Sequence, residues 1–253
     1  MWMHGLLPEF PAQTYSGDYI DRHPKTGAIL GQQGKRTKPG HLHTKKIKAV
    51  CTGCNNGWMS VIETKAKPSL ERLIKGERIV LDQASLLDVA RWATLKAIVS
   101  EHDKPETHVT PQADRTEFMQ DGTIPSYFNL YILSHKCSSR SGYVRTTHTV
   151  SLAKDGPVPP LDGRTKNTQQ ISVILGSIML HVNAARVDNF RIEDRLSMPA
   201  VEALRIWPLN RAPLTWPSPP VLTCEQMGEI AYSMERIAVL PEVRWADLPR
   251  SAG

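Results

Sequence analysis

Apolar positions fall at helical spacing in two stretches of the first half of this chain and alternate in short runs in the second. A helix is expected from Asn56 or Ser60: Asn55 and Asn56 are good caps, and Ser60 with Glu63 three residues on forms a capping-box pattern. Trp58, Ile62 and Ala66 line one face of it. Pro68 is expected to end or kink that helix, because its ring clashes with the preceding turn. A second short helical stretch, Ser69 to Lys75, should close at Gly76. After a brief strand at Ile79 to Leu81, Ser85 and Asp88 make another capping-box pattern. It opens the strongest helix of the chain, Ser85 to Glu101. Leu86, Val89, Ala90, Ala93 and Ala97 form its apolar face, which Trp92, Leu95, Ile98 and Val99 widen. A stripe that wide belongs in a core.

The texture then changes. Tyr127 to Ser134, Gly142 to Leu152, Gln170 to Leu175 and Ile178 to Ala185 are rich in β-branched and aromatic residues and are parted by polar turns. They read as an antiparallel sheet, with Ser138 to Gly142 as a hairpin loop. A Pro-rich stretch from Pro208 to Pro220 leads to a last helix, Cys224 to Leu240. Residues 1 to about 44 read as loops, punctuated by Pro8, Pro11, Pro24, Pro39 and glycines, and Ile47 to Val50 as a short strand. The plan is α+β, with an N-terminal module over residues 1–76 and a sheet-bearing body over 77–253.

Composition narrows the class. At 253 residues, with 40% hydrophobic content and six tryptophans, the chain can bury a proper core. The most apolar run, Ile171 to Leu180, is too short to span a bilayer, and the N-terminus lacks the basic flank of a secretion signal. Four cysteines form one close pair, Cys51 and Cys54, and two distant singles, Cys137 and Cys224. That is a poor disulfide framework, so a reducing, cytoplasmic setting is expected.

Charge is distributed very unevenly. Between Asp21 and Glu63 there is no acidic residue, while Arg22, Lys25, Lys35, Arg36, Lys38, Lys45, Lys46 and Lys48 supply eight positive charges, more than the net +6 of the whole molecule. A cation-rich segment leading into a cysteine pair points to nucleic acid, with Lys35, Arg36, Lys38, Lys45, Lys46 and Lys48 against the phosphate backbone. A Cys-x-x-Cys pair is half of a four-ligand zinc site. Cys137 and Cys224 lie far off in sequence, and His4, His23, His41 and His43 are the nearer candidates to complete it. The other use of such a pair is a redox dithiol, which should follow a strand and open a helix in a βαβ setting. The surroundings here are loop-rich and basic instead.

The run Val50-Cys51-x-x-Cys54-Asn55-Asn56-Gly57-Trp58-Met59-Ser60-x-x-Glu63 resembles the second half of an HNH endonuclease motif. It is most similar to the bacterial and prophage group in which that half reads CxxCNNGWMSxLE. The helix around Arg91-Trp92-Ala93 and the Trp207-Pro208 and Trp216-Pro217 pairs also look similar to that group. The resemblance implies a ββα (His-Me finger) module with a zinc knuckle. Within it, Cys51 and Cys54 would ligate structural zinc, and Asn55 would stand at the position that holds a catalytic divalent cation such as Mg. It implies a metal-dependent DNA endonuclease. Such families carry an acidic-His pair ahead of this point, and none is found. Trp2 looks like the tryptophan that closes that first element; by this resemblance the missing half would lie upstream of Met1 and the chain would be an N-terminal truncation. His43, or His4, is what remains as a base, and Asp21 with His23 lies in a different context. The alternatives are a non-catalytic DNA-binding remnant and a prophage- or defence-associated protein-interaction domain.

Other features read as structural. Trp58 and Trp92 belong to core faces rather than base-stacking platforms, His181 to a hydrogen-bonded core position, and His135 with Cys137 to a hairpin loop rather than to a metal site or a thiol nucleophile.

Overall fold

In the computed structural model the described residues are 14–22, 29–39, 50–137, 141–152, 166–187, 190, 204–209, 213–234 and 243–245. The architecture is α+β. An antiparallel hairpin, β1 (Thr14–Arg22) and β2 (Ile29–Pro39), stands where loops are expected. Its register shifts between Gly17 and Tyr19 and again between Asp21 and Arg22. Such bulges break the simple alternation by which a strand is recognised.

A five-residue helix, α1 (Thr52–Asn56), follows and runs through Gly57 into α2 (Trp58–Lys75). A Cβ at Gly57 would lie 2.7 Å from the Gly53 carbonyl oxygen, so only glycine fits this junction. Neither Asn56 nor Ser60 caps α2. Gly57 occupies that place with no side-chain bond. Pro68 does not end the helix, which continues to Lys75 and closes at left-handed Gly76, whose N–H reaches the Arg72 and Leu73 carbonyls. The proline removes one intrahelical bond, but Ala66 before it and Leu70, Leu73 and Ile74 after it are all buried in one core, and that burial holds the helix together.

β3 (Ile79–Leu81) precedes α3 (Gln83–Ser100), the central helix. Its cap is Asp82, whose carboxylate accepts the Ser85 N–H at 2.8 Å, rather than Ser85 itself. Two short 3₁₀ turns, Glu101–Asp103 and Pro105–Thr107, lead to α4 (Gln112–Asp121). That helix is largely polar and gave no apolar stripe; it buries Phe118, which Trp58 meets edge-on at 6.0 Å.

The main sheet comprises β4 (Phe128–His135), β5 (Ser141–His148), β7 (Thr168–Leu175), β8 (Ile178–Ala185), β9 (Arg205–Trp207) and β11 (Val221–Leu222). The order is β11-β4-β8-β7-β5, with β9 also on β4. The β7–β8 turn is a true hairpin. Strands β4 and β5 are not neighbours, so they do not form the expected hairpin; residues 138–140 of its loop lie outside the described residues. The β11–β4 pair is parallel and the other pairs in this sheet are antiparallel. Two smaller pairings join β3 to β10 (Leu214–Trp216) and β6 (Val150–Leu152) to β12 (Val243–Trp245).

Alternation along β4 divides the sheet's two faces. Leu130 and Ile132 face α2 and α3 in the larger core, while Tyr131 and Leu133 face a second, smaller core. That second core is covered by α5 (Cys224–Ala231), capped by a Thr223–Gln226 capping box. Residues 235–240, the expected end of this helix, lie outside the described residues. Cys137 and Cys224, read as unpaired singles, form a disulfide across 87 residues of sequence. They meet because β11 lies beside β4 and delivers the start of α5 to the end of β4. Among the described residues no helix is long and apolar enough to cross a membrane.

Candidate functional site

The thiol pair lies where the chain enters α1. The Cys51 side chain is the helix cap: its Sγ accepts the Cys54 N–H at 3.2 Å, and its carbonyl accepts the Asn55 N–H at 3.0 Å. Cys51 is exposed, whereas Cys54 is half-buried against the larger core. Both are free thiols. The backbone and side-chain hydrogen bonds from Cys54 pull the Cys51 thiol below its ordinary range. Cys54 is pushed up, chiefly because its hydrogen bond to Cys51 holds its proton, an effect the Trp58 indole opposes. The two thiols are thus shifted in opposite directions.

Asn55 is exposed and its Nδ2 donates to Asn56 Oδ1 at 3.3 Å. Lys35, Arg36 and Lys38 all lie on β2, where Arg36 pairs with Gly17 and Lys38 with Tyr15. His43, Lys45, Lys46 and Lys48, like His4, His23 and His41, are outside the described residues, as is the strand expected at residues 47–49. Val50 is a bend.

Two free thiols three residues apart at the start of one helix are the donor types of half a tetrahedral zinc site. Among the described residues no group of three His, Cys, Asp or Glu is placed to hold an ion. The one described side-chain bond of Asn55 goes to Asn56, and His43, the expected base, lies outside the described residues.

A second polar centre, absent from the sequence reading, lies at the far end of α3. Glu101 is fully buried and is bonded from four sides. Its carboxylate pairs with the Arg115 guanidinium, and it accepts the Thr110 hydroxyl at 2.7 Å, the Thr110 N–H at 3.3 Å and Gln169 Nε2 at 2.5 Å. Arg115 also reaches His102 Nε2 at 2.8 Å and the Thr110 carbonyl at 2.9 Å. Arg145 bonds the Thr107 hydroxyl and carbonyl, each at 2.7 Å, and Gln169 Oε1 at 3.2 Å. The His102 and His108 rings meet edge-on at 4.9 Å, and burial followed by the Arg115 charge holds both below the ordinary histidine range. Every oxygen of Glu101 is occupied by protein. This network fastens the 101–111 segment to β5 and β7. The only hint in the sequence is a carboxylate closing an apolar helix, because its partners come from three distant elements.

The two tryptophans singled out as core residues behave as such: Trp92 is buried and Trp58 half-buried. His181 is buried and hydrogen-bonded as expected, its Nδ1 with Ser172 Oγ at 2.8 Å and its Nε2 with Gln170 at 3.1 Å. Cys137, being disulfide-bonded, is no thiol nucleophile beside His135.

Comparison of the chain with family models, curated proteins and solved structures gives no match.

Proposed function

We propose that this protein binds nucleic acid, most simply duplex DNA, as an HNH-type protein whose binding outlives its catalysis. The observation that supports the reading is the order of parts along the chain. A hairpin bearing Lys35, Arg36 and Lys38 precedes a helix start built from Cys51, Cys54 and Asn55. Clustered cations lower the cost of approaching phosphate and release its counterions. The sulfur-capped helix start is the half of a zinc knuckle that would brace such a module. Cleavage needs a carboxylate or base beside the metal-bound water, and Asn55 supplies neither.

Fluorescence anisotropy with a labelled duplex, run beside a plasmid-nicking assay in Mg or Mn, tests this. The expected result is salt-sensitive binding without nicking. Nicking that Asn55→Ala abolishes would instead make the protein a working endonuclease. Absence of DNA affinity at about 100 mM salt, where several phosphate contacts still act, would overturn the reading in favour of a protein-interaction role.

A further inference from the structure

The second face of the main sheet is closed by an element that is too short to stand alone. Helix α5 has eight residues, below the length at which an isolated helix is stable in water. It buries Met227, Ile230 and Ala231 against Tyr131, Leu133 and Met179. The strand that delivers it, β11, has two residues.

Among the described residues, fastenings lie at both of its ends. At the start, the Cys137–Cys224 disulfide joins the first residue of α5 to the end of β4, beside a Lys136 N–H to Leu222 carbonyl bond of 3.0 Å. At the other end, Gln170 Oε1 accepts the Met234 N–H at 3.1 Å, and Gln170 Nε2 donates to Ser233 Oγ. Gln170 belongs in turn to the buried chain that runs through His181 to Ser172. Those polar groups are 1 to 2% exposed with α5 in place. The covalent fastening is the accessible one: Cys224 is exposed and Cys137 half-buried.

We propose that Cys137–Cys224 is a redox-controlled latch, opened by a dithiol reductant, whose opening frees α5 from the sheet and uncovers the apolar face formed by Tyr131, Leu133 and Met179. A thiolate of the reductant attacks Cys224 Sγ, breaking the Sγ–Sγ bond and expelling Cys137 as a thiolate that takes up a proton. The reductant's second thiol then displaces Cys224 from the mixed disulfide. Two electrons and two protons pass from the dithiol to the cystine, and the reductant leaves as its own disulfide. The face uncovered is the opposite one from the α2–α3 core, so the rest of the fold keeps its packing. The latch stands independently of nucleic-acid binding.

Hydrogen exchange read by mass spectrometry, on the full chain with and without dithiothreitol and on the Cys137→Ser/Cys224→Ser variant, tests the proposal. Amides of Met227 to Ser233 are expected to exchange at least about tenfold faster in both reduced forms, since a cross-link of this kind restrains local opening strongly. Amides of α3 should keep their protection. Three results would overturn it: protection of 227–233 unchanged within about twofold; simultaneous loss of protection in α3, which would make the bond a global staple; or four free thiols rather than two in the denatured protein before any reductant is added. If the variant fails to fold, the reductant titration of the wild-type chain still decides among these outcomes.

Discussion

Acid should destabilise this protein through His181, and by an amount the structure sets. The ring, carried on β8, bonds Ser172 and Gln170 of β7 and is 1% exposed, and its burial pushes its pKa down to about 3. In the unfolded chain a histidine takes a proton below about pH 6.5. Between those values the unfolded state binds a proton that the folded state refuses, so stability falls as pH falls. From pH 7.5 to pH 5 the loss from this one residue is about 2 kcal/mol, and by pH 4 it is about 3 kcal/mol. Below about pH 4 the exposed Asp82, held low by the Ser85 N–H, and Asp121, held low by the Thr123 side chain and N–H, contribute in the same direction, and His148 also has its pKa pushed down to about 3 by burial. A comparison with His181→Gln removes those shared contributions. Urea unfolding of both proteins at pH 7.5 and pH 5, followed by tryptophan fluorescence, gives the two differences. The variant is expected to start less stable yet lose about 2 kcal/mol less between the two pH values. Equal losses in the two proteins would refute the reasoning.

Further expectations follow from particular contacts. Glu101→Ala should cost about 3–5 kcal/mol in the same urea assay, because it leaves the buried Arg115 charge without its carboxylate; a cost below about 1 kcal/mol would show that water replaces the carboxylate readily. Gly176→Ala should destabilise by about 2 kcal/mol or more, since φ is +59° and the new Cβ would lie 2.3 Å from the Ile74 carbonyl oxygen. Its melting temperature would be the readout, and an unchanged value contradicts the packing of the β7–β8 turn on the end of α2. Asn55→Ala, at an exposed position whose side chain donates to Asn56, should leave stability within about 0.5 kcal/mol, so that any change in DNA binding or nicking reports on the site alone.

Much of the body was legible because its elements bury one face with a regular period. The stripe from Leu86 to Ile98 gave α3, and the run Ile178–Ala185 appeared with the bounds the structure has. The errors have local causes. Capping patterns were read one turn late at α3, because Asp82 outside the stripe does the capping. Pro68 was given the last word over a helix whose burial continues past it. The β1–β2 hairpin is polar, glycine-rich and bulged, so no alternation marked it. The pairing of Cys137 with Cys224 and the convergence of Glu101, Arg115 and Gln169 are products of topology, which spacing along the chain does not encode. At the candidate site the sequence named the thiols and the basic run. That Cys51 itself is the helix cap, and so has its thiol tuned, emerged only from the backbone geometry.

Nucleic-acid binding through the basic hairpin is tested most directly by the salt dependence of duplex affinity, measured for the wild-type chain and for Lys35→Ala/Arg36→Ala/Lys38→Ala between about 50 and 200 mM salt. If these three cations contact phosphates, the slope of log K against log salt becomes shallower by about 2.7 in the variant, at about 0.9 per contact. An unchanged slope, or no measurable affinity for the wild-type chain at the lowest salt, would contradict the account.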